Sequence, residues 1–139
     1  TANPQSGGVI QVVNATYNTN VSSTSSSYAD TGLTATITPK FSSSKILVLA
    51  TINGVYNGAN GNTGVSLAIL RGATNLNAFC NYTSYVGTAT ALLTSASANY
   101  LDSPATTSST TYSTQFGLHH RLRIDMSKEI PRRITATGV

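Results

Sequence analysis

The sequence predicts an all-β fold, an antiparallel β-sandwich or jelly roll of about eight strands, and three observations carry that expectation. Apolar residues recur with period two along most of the chain, while the 3.6-residue period of an amphipathic helix is nearly absent. Only 9% of residues are charged, with a single Glu, which leaves helices without the charged residues of a wet face. Turn-forming residues punctuate the alternation at short intervals.

The elements follow in order. "GVIQVVNATYN" reads as a first strand, with Val9, Gln11, Val13, Ala15 and Tyr17 on one face. In "SYADTGLTATITP", Leu33, Ala35 and Ile37 alternate with threonines before Pro39 stops the ladder, a half-buried strand. "KILVLATING" is the third and ends at Asn53-Gly54. From there to Gly64 three Asn-Gly pairs mark a long loop, since each pair accepts the positive φ of tight turns. "GVSLAILRG" and "NAFCNYTSYVG" follow, the latter with aromatics on both faces. "TATALLT", "ANYLD" and "STTYSTQFGL" complete the set.

At 139 residues the chain is expected to form one domain, residues 1–139, with an extended N-terminal arm at 1–8 and an atypical basic segment at 118–139. Residues 1–117 carry net +1 and residues 118–139 net +3, the latter from Arg121, Arg123, Lys128, Arg132 and Arg133 against Asp125 and Glu129. Five positive charges diluted by two acids, with no interleaved aromatics, read as a solvated or inter-subunit face, so a nucleic-acid partner is not expected. The 22 Thr and 18 Ser suit solvent-facing strand positions, and the clustered Val, Ile and Leu argue against disorder. No run reaches the length of a membrane-spanning helix, and no membrane insertion is expected.

Catalytic chemistry is thinly provided. Before residue 118 the chain has two Asp, no Glu and no His. A glycosidase needs two convergent carboxylates, and Asp30 and Asp102 each follow a Tyr by two residues and precede turn formers, the pattern of side chains that bond a turn backbone. His119 and His120 are adjacent and so point to opposite faces of a strand. Cys80, the only cysteine, reads as a small apolar core residue. The glycines of "GVYNGANG" lack the Lys and strand-to-helix setting of a phosphate loop. The expectation is therefore a protein that is not an enzyme, with no cofactor and no metal.

Binding residues are sought on the loops instead. Neutral amides and tyrosines suit sugar hydroxyls and the apolar face of a sugar ring. They nominate Tyr56, Asn57, Asn60, Asn62, Tyr82 and Tyr85 as contacts to a receptor or glycan. Self-association is expected through the run Ile46–Leu49, the most apolar in the chain. A sandwich strand needs one buried face, yet here Leu47 and Leu49 add a second apolar face. Leu47, Leu49 and Phe79 are the interface candidates.

The stretch "GVIQVVNATYNTNVSSTSSSYADTGLTATITPKFSSSKILVLATING", with "LAILRG" and "YLDSPATTSSTTYSTQF" further on, resembles the modular head domains of phage tail fibres and related virion proteins, especially those of marine and cyanobacterial phages. The likeness covers residues 7–117. It implies a non-enzymatic β-sandwich, an adhesin of a virion appendage, extracellular, homotrimeric, joined to other virion tail proteins and attaching to a host-cell-surface glycan. Modules of that kind close on a final apolar strand, whereas this chain ends "SKEIPRRITATGV". A structural subunit of a filament or capsid decoration, assembled by strand or edge pairing through the N-terminal arm, is the alternative expectation.

Overall fold

A computed structural model describes residues 8–58, 62–87 and 91–120, excepting the side chain of His120. The described residues form six strands and no helix: β1 (Ala29–Ile37), β2 (Ile46–Asn57), β3 (Thr63–Arg71), β4 (Thr74–Val86), β5 (Leu92–Asp102) and β6 (Thr110–His120). They make two antiparallel sheets, one of four strands in the order β1-β6-β3-β4 and one of two, β2-β5. The core lies between the sheets. Val48, Ala50, Ile52 and Val55 of β2 and Ala96, Ala98 and Tyr100 of β5 pack against Val65, Leu67 and Ile69 of β3, Phe79 of β4, and Phe116 and Leu118 of β6. Apart from the bulged step from Ile52 to Val55, each set alternates along its strand, so the period-two pattern of the sequence is the core itself.

The described strands number six where the sequence suggested eight, for two physical reasons. Residues 8–28 contain no strand, and Val9 and Val12 are 83% and 81% exposed, because no strand pairs in register with this segment. "ALLT" and "ANYLD" are one continuous strand, β5, because the small residues Ala96 and Ser97 between them pair with Ile52 and Thr51 on β2. Asn53-Gly54 likewise is not a turn. Gly54 takes φ 72° and shifts the register between Ile52 and Val55, a bulge that lets β2 run on to Asn57. The turn falls after Asn57, and Asn60-Gly61 lies outside the described residues.

β3 is buried along both faces from Thr63 to Leu70. Part of its cover is β4, which carries extra residues: two positions separate Val65 from Leu67, but four separate their partners Thr83 and Phe79. Within that excess Cys80 and Tyr82 have φ of 53° and 63°, and Ser84, in a second register shift between Thr83 and Val86, has φ of 50°, all unusual for residues with a Cβ. The bulged backbone folds onto the outer face of β3, where Gly64 leaves room for it.

The arm, the strandless segment of residues 8–28 before β1, is tied down at two places. Where β1 has not yet begun, Ser25–Tyr28 run beside the end of β6, with the Leu118 amide donating to the Ser25 carbonyl at 3.1 Å and the Tyr28 ring 5.6 Å from that of His119. Further back, the Tyr17 ring packs on Gly32, whose φ of 87° places it in a bulge of β1.

Candidate functional site

At one end of the sandwich β2 ends at Asn57, β3 begins at Thr63, β4 ends at Val86 and β5 begins at Leu92. A buried polar cluster ties these strand ends together. Asn57 Nδ2 donates to the Thr63 carbonyl (3.1 Å), Thr63 Oγ1 (3.1 Å) and the Ser84 carbonyl (3.0 Å). Ser84 Oγ donates to the Val55 carbonyl at 2.7 Å, which commits its proton, so Thr94 Oγ1 donates to Ser84 Oγ across 2.6 Å. Asn57, Thr63 and Ser84 are removed from water, Thr94 is half-buried, and each has a partner, the condition under which buried polar side chains stabilise.

The cluster corrects the sequence expectation for Asn57. It is 2% exposed with its amide nitrogen spent on backbone and hydroxyl oxygens, so it chiefly shapes the loop end. Its burial was not legible because both Thr63 and Ser84 reach it only after the chain folds. Asn60 lies outside the described residues.

The remaining candidates share this end but face different ways. Tyr85 Oη donates to Asn62 Oδ1 at 3.2 Å, joining two of them. Tyr82 lies over Gly64 on the outer face of the four-stranded sheet. Tyr56, mostly exposed, pairs with Leu93 on the two-stranded sheet.

A cleft of about 980 Å³ opens beside Tyr56, a result of setting four strands against two; Asn62, Tyr82 and Tyr85 do not line it. Its floor is the inner face of β1 and β6, where β2–β5 does not reach, with Leu33, Phe116 and Leu118. One wall is β2 from Thr51 to Asn57 and the other is the arm from Ala15 to Ser23. No charged side chain lines it among the described residues; its polar groups are the hydroxyls and amides of Ser, Thr and Asn, with Tyr17 and Tyr56. Of this lining the sequence pointed to Tyr56 and Asn57, whereas residues 15–23, read as a strand end and a Ser/Thr-rich loop, gave no sign of forming a wall.

Phe79, expected at an interface, is 9% exposed and sits in the core between the sheets. The aromatics on both faces of "NAFCNYTSYVG" misled because the β4 bulges break the alternation after Phe79. Leu47 and Leu49 are exposed on the outer face of β2. Cys80 is half-buried and packs against the core.

Asp102 and Asp30 do not serve as turn-bonding side chains. At the far end of the sandwich Asp102, 5% exposed, accepts both oxygens' bonds from Arg71 Nη1 at 2.9 and 2.8 Å and a third from Tyr112 Oη at 2.7 Å. Burial, then the hydrogen bond to Asp102 and that carboxylate's charge, push the Tyr112 phenol well above its ordinary range, against a smaller opposing effect of Arg71. Asp30 accepts from Gln115 Nε2 at 2.8 Å. The two carboxylates belong to separate contacts. Among the described residues no three His, Cys, Asp or Glu side chains gather as metal ligands would.

Compared with known proteins, the chain matches no family model, no curated protein and no solved structure.

Proposed function

We propose that this chain is a non-enzymatic attachment domain of a virion appendage of the tail-fibre kind, which contacts a neutral glycan on the host surface and works as a homo-oligomer. The observation that carries this reading is the cleft beside Tyr56, walled by hydroxyls, amides and two tyrosines with no charge. A sugar offers donors, acceptors and an apolar C–H face, and this lining presents a counterpart to each. The strained backbone of Cys80, Tyr82 and Ser84 beside the same loop end adds support, since such conformations concentrate at functional sites. The resemblance of residues 7–117 to tail-fibre head domains points the same way.

The alternative, a filament or capsid-decorating subunit built by edge pairing, draws on a different observation. Among the described residues β2 and β5 each have one strand neighbour, and the exposed "VIQVV" near the N-terminus has the apolar pattern of an unpaired strand.

Binding of the purified protein to immobilised bacterial surface polysaccharides, charged and uncharged, tests the first reading. Saturable binding to an uncharged glycan is expected, weakened about tenfold or more by Tyr56→Ala. Binding to no polysaccharide, or binding that Tyr56→Ala leaves untouched, overturns it.

A further inference from the structure

The cleft beside Tyr56 is polar at its rim and apolar at its floor. On the rim Asn18, Asn20 and Ser22 of the arm and Thr51 and Asn53 of β2 are all exposed. Below them Leu33, Phe116 and Leu118, each half-buried, present hydrocarbon to the opening, and Val65 and Leu67 continue that surface into the core. Leu33 stands apart from the core between the sheets, so the surface it leaves open belongs to the cleft.

The hydroxyl that β1 brings to this floor is already used. Thr31 Oγ1 donates to the Thr114 carbonyl at 3.1 Å, and it accepts from the Leu33 amide at 3.1 Å and from the Thr114 hydroxyl at 2.5 Å. One proton and two lone pairs are thereby exhausted. The other floor residues from β1, β3 and β6 have apolar side chains, so the floor offers a ligand no free polar side-chain atom.

A sugar held between these walls meets unlike surroundings at the two depths. At the rim its hydroxyls exchange water for amides and hydroxyls, a near-even trade. A hydroxyl carried down to the floor loses its water and finds no side-chain partner, which penalises it. A methyl group carried to the same place leaves water for hydrocarbon, which favours it. An ionised carboxylate or ammonium would be worse placed than either, because no charged side chain lines the cleft among the described residues.

We infer that the cleft selects uncharged sugars that carry a methyl group, as 6-deoxy, N-acetyl and O-acetyl substituents do, with that methyl seated on Leu33, Phe116 and Leu118. This rests on the attachment reading above and deepens it by naming the chemical feature that is recognised. Tyr56 offers its ring to the sugar, and the floor reads the substituent.

Binding of saccharides that differ at one substituent tests it, measured on the purified chain by ligand-observed NMR titration for small sugars and on immobilised material for polysaccharide. L-rhamnose is paired with L-mannose for the 6-deoxy methyl, N-acetylglucosamine with glucose for the N-acetyl methyl, and one O-acetylated polysaccharide with its mild-alkali product for the O-acetyl methyl. In at least one pair the methyl-bearing member is expected to bind about tenfold or more tightly, the discrimination that a hydrophobic pocket draws from a single small group. In a small-sugar pair its methyl protons should receive the strongest saturation from the protein. Leu33→Thr sets a hydroxyl on the floor with a residue suited to a strand, and is expected to remove most of that preference with an unchanged far-ultraviolet circular dichroism spectrum. If that variant fails to fold, the wild-type pairs decide alone. Equal affinities within all three pairs, or a preference that folded Leu33→Thr keeps in full, overturns the inference. A wild type that binds glycans without such a preference sinks the methyl assignment and leaves the attachment reading standing, whereas one that binds no saccharide sinks both.

Discussion

The backbone of Tyr82 rests on Gly64. A Cβ at position 64 would lie 2.5 Å from the Tyr82 Cα and 2.8 Å from its Cβ, far inside van der Waals contact. The glycine is thus what allows the bulged half of β4 to close over β3, and with it the placement of Tyr82 and of Ser84 in the buried cluster.

Gly64→Ala is accordingly expected to destabilise the fold by about 2–3 kcal/mol, the cost of overpacking where the obstructing atoms are backbone and cannot rotate away. A thermal melt is the measurement, with a fall of roughly 5–10 °C expected. A melting temperature within a degree of wild type would show that β4 does not press on β3.

The Arg71–Asp102–Tyr112 contact sets an alkaline limit. Because folding raises the Tyr112 pKa, the folded state holds a proton that the unfolded chain, with an ordinary tyrosine pKa of about 10, gives up. The contribution is whole below about pH 10 and declines as pH rises above it. Urea midpoints between pH 7 and 11 should show that decline in the wild type and a shallower one in Tyr112→Phe. At neutral pH Asp102→Ala should cost about 2–3 kcal/mol, moderated because Arg71 remains one-third exposed and regains water. Parallel alkaline profiles for wild type and Tyr112→Phe would remove Tyr112 as the cause.

Tyr17 and Gly32 form the arm's inner anchor. Gly32→Ala places a methyl group in the Tyr17 ring and also forces a Cβ into φ 87°, with an expected cost of about 1–2 kcal/mol. A double-mutant cycle with Tyr17→Ala separates the two: with the ring gone, only the backbone part should remain. Purely additive effects would mean that the ring does not pack there.

Local pattern carried much of the architecture. Leu33, Ala35 and Ile37 alternate as read, Pro39 follows the end of β1, and Ile46, Val48, Ala50 and Ile52 do share the inner face. What stayed hidden depends on residues distant in sequence. Asp102 gives no local sign of Arg71, 31 positions away, and Asn57 none of Ser84. Asn53-Gly54 has the composition of a turn, and its use as a bulge is decided by Val55 and Tyr56 finding partners in Thr94 and Leu93. Nothing in the identities of Cys80, Tyr82 and Ser84 announces positive φ, so the site's strained backbone was illegible, although the tyrosines it displays were not.

The exposed leucines of β2–β5 have a bearing on solubility. Leu47, Leu49 and Leu101 each keep more than half of their surface in water, so salts excluded from protein surfaces should bring the chain out of solution sooner. Cold works the other way, because the apolar driving force weakens as temperature falls. Chilling is the change that should keep it dissolved.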